Sequence, residues 1–373
     1  MQSFREVCKK QQGFTVLELM VAVAVTALLA AVLLNVSSQV LETQRLASGT
    51  LETNQVAQFA LDRIQEDLQC ALYRNDGNVW MAISVLETKE NSGYWKLVDE
   101  SDNKMGKPLE DSFRLLEGDW PENKKLPEDE YDSLGQGPFE KSRFGVGGVW
   151  LRFFTQGPEL DQNAKNTGAA RAVAYQIIRQ GLTSSTTSSA RYQLFRSDVS
   201  AKNTFEAGYN LHPDAEAYNP QATTNFDREN TPRLPSTITN PIIAEGSDYS
   251  SSAFSLAANV IDFGVRAYVL QKNSYGTGNL VQVFPAIDSS GNLLDTEFLA
   301  TSHAAYQTLS NPFHLFPDVI DLSIRVLTNE GARLMESLEN GLIPTTEEQD
   351  WWSIAEEHSE VYIRRVKIYG QGL

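Results

Sequence analysis

The residues able to do chemistry in this sequence are few and dispersed. His212, His303, His314 and His358 stand far apart, no His-Glu-x-x-His occurs, and Cys8 and Cys70 make no zinc-binding pair. There is no Gly-x-Ser-x-Gly elbow and no P-loop. Phe144-Gly145-Val146-Gly147-Gly148-Val149 is glycine-rich, but it leads into a strand-like run and not a helix, so it reads as a turn or bulge and not as a phosphate cradle. The acidic run Glu128-Asp129-Glu130-Tyr131-Asp132 offers oxygen ligands to calcium, yet it lacks the EF-hand spacing and central glycine and reads as a solvated loop. Glu356-Glu357-His358 reads as surface charge before it reads as a catalytic group. The expectation is therefore no catalytic residue, no metal, no cofactor and no enzyme activity.

One segment does have specific types at specific spacing. Gln12-Gly13-Phe14-Thr15-Val16-Leu17-Glu18 opens a stretch, Phe14 to Leu34, whose 21 residues include only Thr15, Glu18 and Thr26 as clearly polar members. As a helix it would be about 31 Å long, matching the roughly 30 Å hydrocarbon core of a bilayer. Arg5, Lys9 and Lys10 precede it, and the positive-inside rule leaves the N-terminus cytoplasmic with the body outside. A conventional signal peptide is cut after its apolar stretch, whereas here Gly13 stands directly before it. A carboxylate inside an apolar helix costs about 3 kcal/mol on insertion scales, so Glu18 is expected to have a partner.

These residues resemble the type IV prepilin motif: a glycine, an aromatic or apolar residue, and a glutamate four further on. The resemblance implies that a prepilin peptidase cuts between Gly13 and Phe14 and methylates Phe14. It also implies that Glu18 pairs with the free amine of a neighbouring subunit during filament assembly. The product would stay in the bacterial inner membrane as a single-pass protein, with its C-terminal domain periplasmic, until it is drawn into an assembly.

The elements that follow fit a large attached body. At 373 residues and 41% hydrophobic content the chain can build a real core. Its charge is −17, and since the residues before Phe14 carry a net +2, the rest carries −19, which repels phosphate backbones; no direct nucleic-acid binding is expected. If the leader is removed only Cys70 survives, so no internal disulfide can form, and Cys70 is expected to be a buried small hydrophobe. Residues 35–73 read as an amphipathic continuation of the helix, with Leu61, Ile64, Leu68 and Ala71 on one stripe and Arg63 and Asp67 as an i,i+4 pair on the polar side. Residues 74–373 read as a mostly β domain, with strands expected at Trp80 to Leu86, Val149 to Phe154, Ala172 to Ile178, Tyr192 to Phe195, Val260 to Leu270, Leu280 to Phe284, Val319 to Leu327 and Val361 to Tyr369. Insertions are expected near 87–144 and 201–255, a polar loop at Thr183 to Ser189, and helices at Glu330 to Glu339 and Thr346 to Glu357, the latter carrying Trp351 and Trp352 for packing. The fold expected is α+β and pilin-like: a long helix packed on a mostly β head.

Four further segments resemble the J-type minor pseudopilins of type II secretion. Phe59 to Leu68 is similar to the end of their helix, with its Asp-Leu pair. Ala172 to Ile177 and Tyr192 to Arg196 are similar to paired strands ending in an apolar-Arg turn, and Phe316 to Ile324 to a Leu-Pro-x-x-Val-x-Leu strand. Size and layout resemble a Verrucomicrobia-type branch, the cassette protein C group. The resemblance implies a minor pseudopilin, partnered by other pilins or pseudopilins in a tip complex. The alternatives are a minor type IV pilin for adhesion or DNA uptake, and a membrane-tethered enzyme or binding protein that carries a prepilin signal.

Overall fold

The computed structural model describes residues 15–85, 149–156, 170–181, 190–198, 201, 204–205, 208–212, 255–272, 278–287, 293–295, 297–303, 314–339, 342–343 and 351–369. The expected leader, the 87–144 insertion, the Thr183 to Ser189 loop, Gly145 to Gly148, the 128–132 acidic run and the Trp351 and Trp352 side chains lie outside the described residues.

Helix α1 (Val16–Gln69) contains no proline and a single glycine, Gly49, so nothing in its backbone chemistry interrupts it. The chain divides into two compact units, Met1–Leu51 and Glu52–Leu373. In the first, the large apolar side chains between Val16 and Leu34 are 52% to 76% exposed, and this one helix is long and apolar enough to cross a membrane. Three of its hydroxyls are satisfied within the helix. Thr26 Oγ1 lies 2.9 Å from the carbonyls of both Ala22 and Val23, and Ser38 and Thr43 each donate to a backbone carbonyl at 2.8 Å. That internal satisfaction is what a hydrocarbon environment demands.

In the second unit, α1 continues over an antiparallel head. Twelve strands are described: β1 (Val79–Val85), β2 (Val149–Thr155), β3 (Arg171–Gly181), β4 (Ala190–Asp198), β5 (Ser255–Ala258), β6 (Val260–Lys272), β7 (Gly278–Phe284), β8 (Ala286–Ile287), β9 (Leu293–Asp295), β10 (Glu297–Thr301), β11 (Val319–Leu327) and β12 (Ser359–Lys367). Helices α2 (Asn329–Glu339) and α3 (Trp351–Glu357) lie between the last two strands in sequence. Sheet A runs β10-β1-β2-β3-β4-β5 and sheet B runs β12-β11-β6-β7, with β8 and β9 as a small separate pair. The result is the α+β, pilin-like architecture that the sequence predicts, a long apolar helix followed by a β-rich domain.

Strand register explains how the head receives the helix. Across sheet A, Phe298, Ile83, Leu151, Tyr175 and Arg196 stand opposite one another in turn, a buried row that is apolar for three strands and polar at its last two. Sheet B repeats the pattern, with Val265, Leu322 and Arg364 in one row and Phe263, Ile324 and Tyr362 in another. The polar ends of these rows reach α1. Arg196 and Tyr175 bond Asp67, Arg364 bonds Asp62, Gln58 and Gln65, and Tyr362 bonds Thr53 at 2.9 Å. Between those contacts Ala57, Ala60, Leu61, Ile64 and Leu68 enter a core shared by both sheets, each 0% or 1% exposed. The opposite face of sheet B carries paired charges: Asp262 faces Arg325, and Asp321 stands between Arg266 and Arg365, with Arg365 gripping it through two bonds of 2.7 Å.

The structure corrects four expectations. Helix α1 stops at Gln69 and not near Tyr73, because Cys70 to Leu72 turn to sheet-like bonding: Gln156 N donates to the Cys70 carbonyl, Leu72 N to that of Phe154, and Ala71 bridges Thr155. Asp67 is not on the polar side but fully buried. Tyr192 to Phe195 is strand as expected and pairs with β3, but no turn follows at Phe195-Arg196, because β4 runs on to Asp198. The start of the 201–255 segment is tied to the core: Thr204 accepts the Ala172 amide, Asn210 Oδ1 accepts the amides of Val79 and His212, and the Tyr209 ring stacks on Trp80. Strands β5, β8, β9 and β10 are additions to the expected set, too short or too weakly patterned to stand out.

Removing one buried Leu or Ile costs about 2 to 5 kcal/mol, against a total stability of about 5 to 15 kcal/mol for a domain. A fragment beginning at Glu52 is therefore expected to melt cooperatively by circular dichroism. One beginning at Asp76, which lacks Leu61, Ile64 and Leu68 together, is expected to show no cooperative transition.

Candidate functional site

Helix α1 carries two separate candidate sites, one in each unit. At its start, Thr15 precedes the first helical residue and Glu18 is the third residue inside. The Thr15 amide and hydroxyl donate to Glu18 Oε2 at 2.9 and 3.0 Å, and Thr15 Oγ1 accepts the Glu18 amide at 3.3 Å. This is a reciprocal capping box, which satisfies donors that a helix start leaves bare. Glu18 thus has a partner within its own chain, a use that the sequence reading missed although Thr-x-x-Glu is its signature. Gly13 and Phe14 lie outside the described residues.

At the other end of α1, Asp67 is buried in a polar cluster. Tyr175 Oη donates to Asp67 Oδ2 at 2.5 Å and Arg196 Nε donates to the same oxygen at 2.6 Å, while Arg196 Nε also lies 3.1 Å from Tyr175 Oη. The other oxygen, Oδ1, has no hydrogen bond but stands 3.6 Å from Arg63 Nη2 one helical turn earlier. Thr155 Oγ1 donates to the Asp67 carbonyl at 2.9 Å, so β2 holds the backbone of the residue whose side chain β3 and β4 hold. Burial, followed by the Asp67 carboxylate, pushes the Tyr175 phenol well above its ordinary value and keeps it a neutral donor. The arrangement binds and orients; it has no nucleophile paired with a base.

Of the other residues singled out by sequence, the histidines among the described residues are not brought to either site. His303 donates its amide to Thr301 Oγ1, His314 Nδ1 lies 3.2 Å from the Leu299 carbonyl, and His358 Nε2 lies 4.0 Å from Glu357. Among the described residues no group of three or more His, Cys, Asp or Glu side chains is gathered as a metal site. Cys70 is exposed, contrary to expectation, because the buried stripe passes through Leu68 and Ala71 and Cys70 points away from it.

Residues 8–34 match the prokaryotic N-terminal methylation motif. The match supports membership of the type IV pilin-like superfamily: a pilin-type or pseudopilin-type protein processed by prepilin peptidase and anchored in a membrane by its apolar helix. Comparisons with curated proteins and with solved structures find no match.

Breaking a buried ion pair from one side costs about 3 to 5 kcal/mol, and losing one hydrogen bond to a charged group costs about 1.5 to 3 kcal/mol. Asp67→Ala is expected to fall in the first range and Tyr175→Phe in the second, measured by denaturant unfolding of the Glu52–Leu373 fragment. The raised Tyr175 value has a definite sign. Its stabilising effect is complete below the unfolded tyrosine value of about 10 and is lost as pH rises beyond it. Tyr175→Phe should therefore weaken the fall in melting temperature between pH 9 and 11 (roughly one unit either side of that value). It should not abolish that fall, since Tyr73, Tyr268 and Tyr362 are shifted in the same direction, Tyr362 to about 12.

Proposed function

We propose that this chain is a minor pseudopilin of a type II secretion-like system, a structural subunit and not an enzyme. The observation that carries the reading is the methylation motif at residues 8–34, set on a helix whose later turns, from Glu52 to Gln69, are part of the core of a large β head. In this reading prepilin peptidase cuts between Gly13 and Phe14 and methylates Phe14. Residues 14–34 hold the product in the inner membrane, with the head in the periplasm.

Glu18 would serve twice. In the single chain it closes the capping box with Thr15, and during assembly its carboxylate faces the Phe14 amine of a neighbouring subunit, neutralising two charges that are costly apart in an apolar medium. The partners implied are the peptidase and other pilins or minor pseudopilins. Asp67, Tyr175 and Arg196, which lie in three of the segments that resemble the J-type subunits, meet in one cluster.

The test is the N-terminus of the protein made together with its prepilin peptidase, read by mass spectrometry of the membrane fraction. A methylated Phe14 terminus is expected for the wild type and an uncut chain for Gly13→Ala. An intact Met1 in the wild type, or a cut after Leu34, would overturn the reading.

A further inference from the structure

The stripe by which α1 meets the head is short and apolar, made by Ala57, Ala60, Leu61, Ile64 and Leu68. A buried charge is a poor source of stability beside it, because apolar replacements of similar volume are often neutral or stabilising. What a carboxylate supplies and an apolar side chain does not is direction. Asp67 Oδ2 meets Tyr175 at 2.5 Å and Arg196 at 2.6 Å, and these two donors stand opposite each other on adjacent strands, so both bonds are made at one rotation of the helix. The backbone contacts of Asp67, Cys70 and Leu72 fix where the helix ends. They act at a radius of about 2.3 Å from the helix axis, whereas side-chain ends act at about 5 to 6 Å and so resist rotation with a longer lever. The contact of Arg364 with Asp62 is a weaker guide, since the Asp62 side chain is 65% exposed.

We infer that Asp67 is a positioning residue: through Tyr175 and Arg196 its carboxylate fixes the rotation of helix residues Glu52 to Gln69 on sheet A and so keeps the stripe of Gln55, Phe59 and Glu66 outward. All three are exposed, Phe59 at 61%, and their spacings of four and seven place them on one side of the helix. That this stripe is what neighbouring subunits meet rests on the pilin-type reading; the rotation itself does not.

The experiment uses the full chain in detergent micelles, with Cys8→Ser and Cys70→Ser and nitroxide labels at Gln55→Cys and Leu280→Cys, read by pulsed electron–electron distance measurement. The parent is expected to give one narrow distance. The apolar triple variant Asp67→Leu, Tyr175→Phe, Arg196→Met is expected to keep a cooperative melt while its distance distribution widens at least about twofold, as a second orientation becomes populated. A folded triple variant with the parent's width would overturn the inference, since apolar packing and the contacts of Thr53 with Tyr362 and of Asp62 with Arg364 would then suffice. Should the triple variant not fold, Tyr175→Phe alone decides, because it keeps the ring and deletes only the hydroxyl: broadening supports the inference and an unchanged width overturns it. An uncut leader would overturn the pilin-type reading and leave this distribution as it is.

Discussion

One buried carboxylate ties the helix to the head. Asp67 is where a helix and three strands of sheet A are joined: β2 through Thr155 and the Asp67 carbonyl, β3 through Tyr175, and β4 through Arg196. Desolvating an aspartate and two arginines is expensive, and the expense is met because each charge lies against an opposite one or a donor aimed at it. Around this point the apolar rows of both sheets are ordinary hydrophobic packing. The polar ends of those rows give the packing a definite orientation.

One helix therefore answers to two environments. Between Val16 and Leu34 its apolar side chains are exposed all round and its one hydroxyl, that of Thr26, turns inward to the backbone, a composition that only a lipid or a bundle of like helices can cover. From Glu52 onward the same helix is amphipathic, with one side in a protein core and the other in solvent. The change takes place without a break in the helix, because helical hydrogen bonding is local and indifferent to what surrounds it.

Much of this was legible in the sequence. The apolar run, the Leu61, Ile64, Leu68 stripe, the major strands and the glycine–glutamate spacing are all short-range patterns, and short-range patterns survive folding. What escaped was of two kinds. Asp67 looked like a surface partner of Arg63, because their separation of four satisfies a helix rule whether or not the pair is buried, and the residues that bury it are 108 and 129 positions away. Cys70 looked buried because its type usually is, yet the exact turn at which the helix ends decides where it points. The Thr15–Glu18 capping box is itself a short-range pattern, Thr-x-x-Glu, and so is readable from the sequence.

The burial of strand β2 has a consequence for where partners can approach. All seven of its residues are buried, with Leu151 and Phe153 on one face and Trp150 and Arg152 on the other, the guanidinium lying 3.9 Å from the indole ring centre. Neighbouring strands agree: Ala174 and Gln176 on the second face of β3 are buried as well as Val173 and Tyr175 on the first. The middle of sheet A is thus an interior layer and not a platform. Any protein that docks on this head must find its footing elsewhere, on loops, strand edges or the outward side of the helix, where substitutions would change recognition without first breaking the fold.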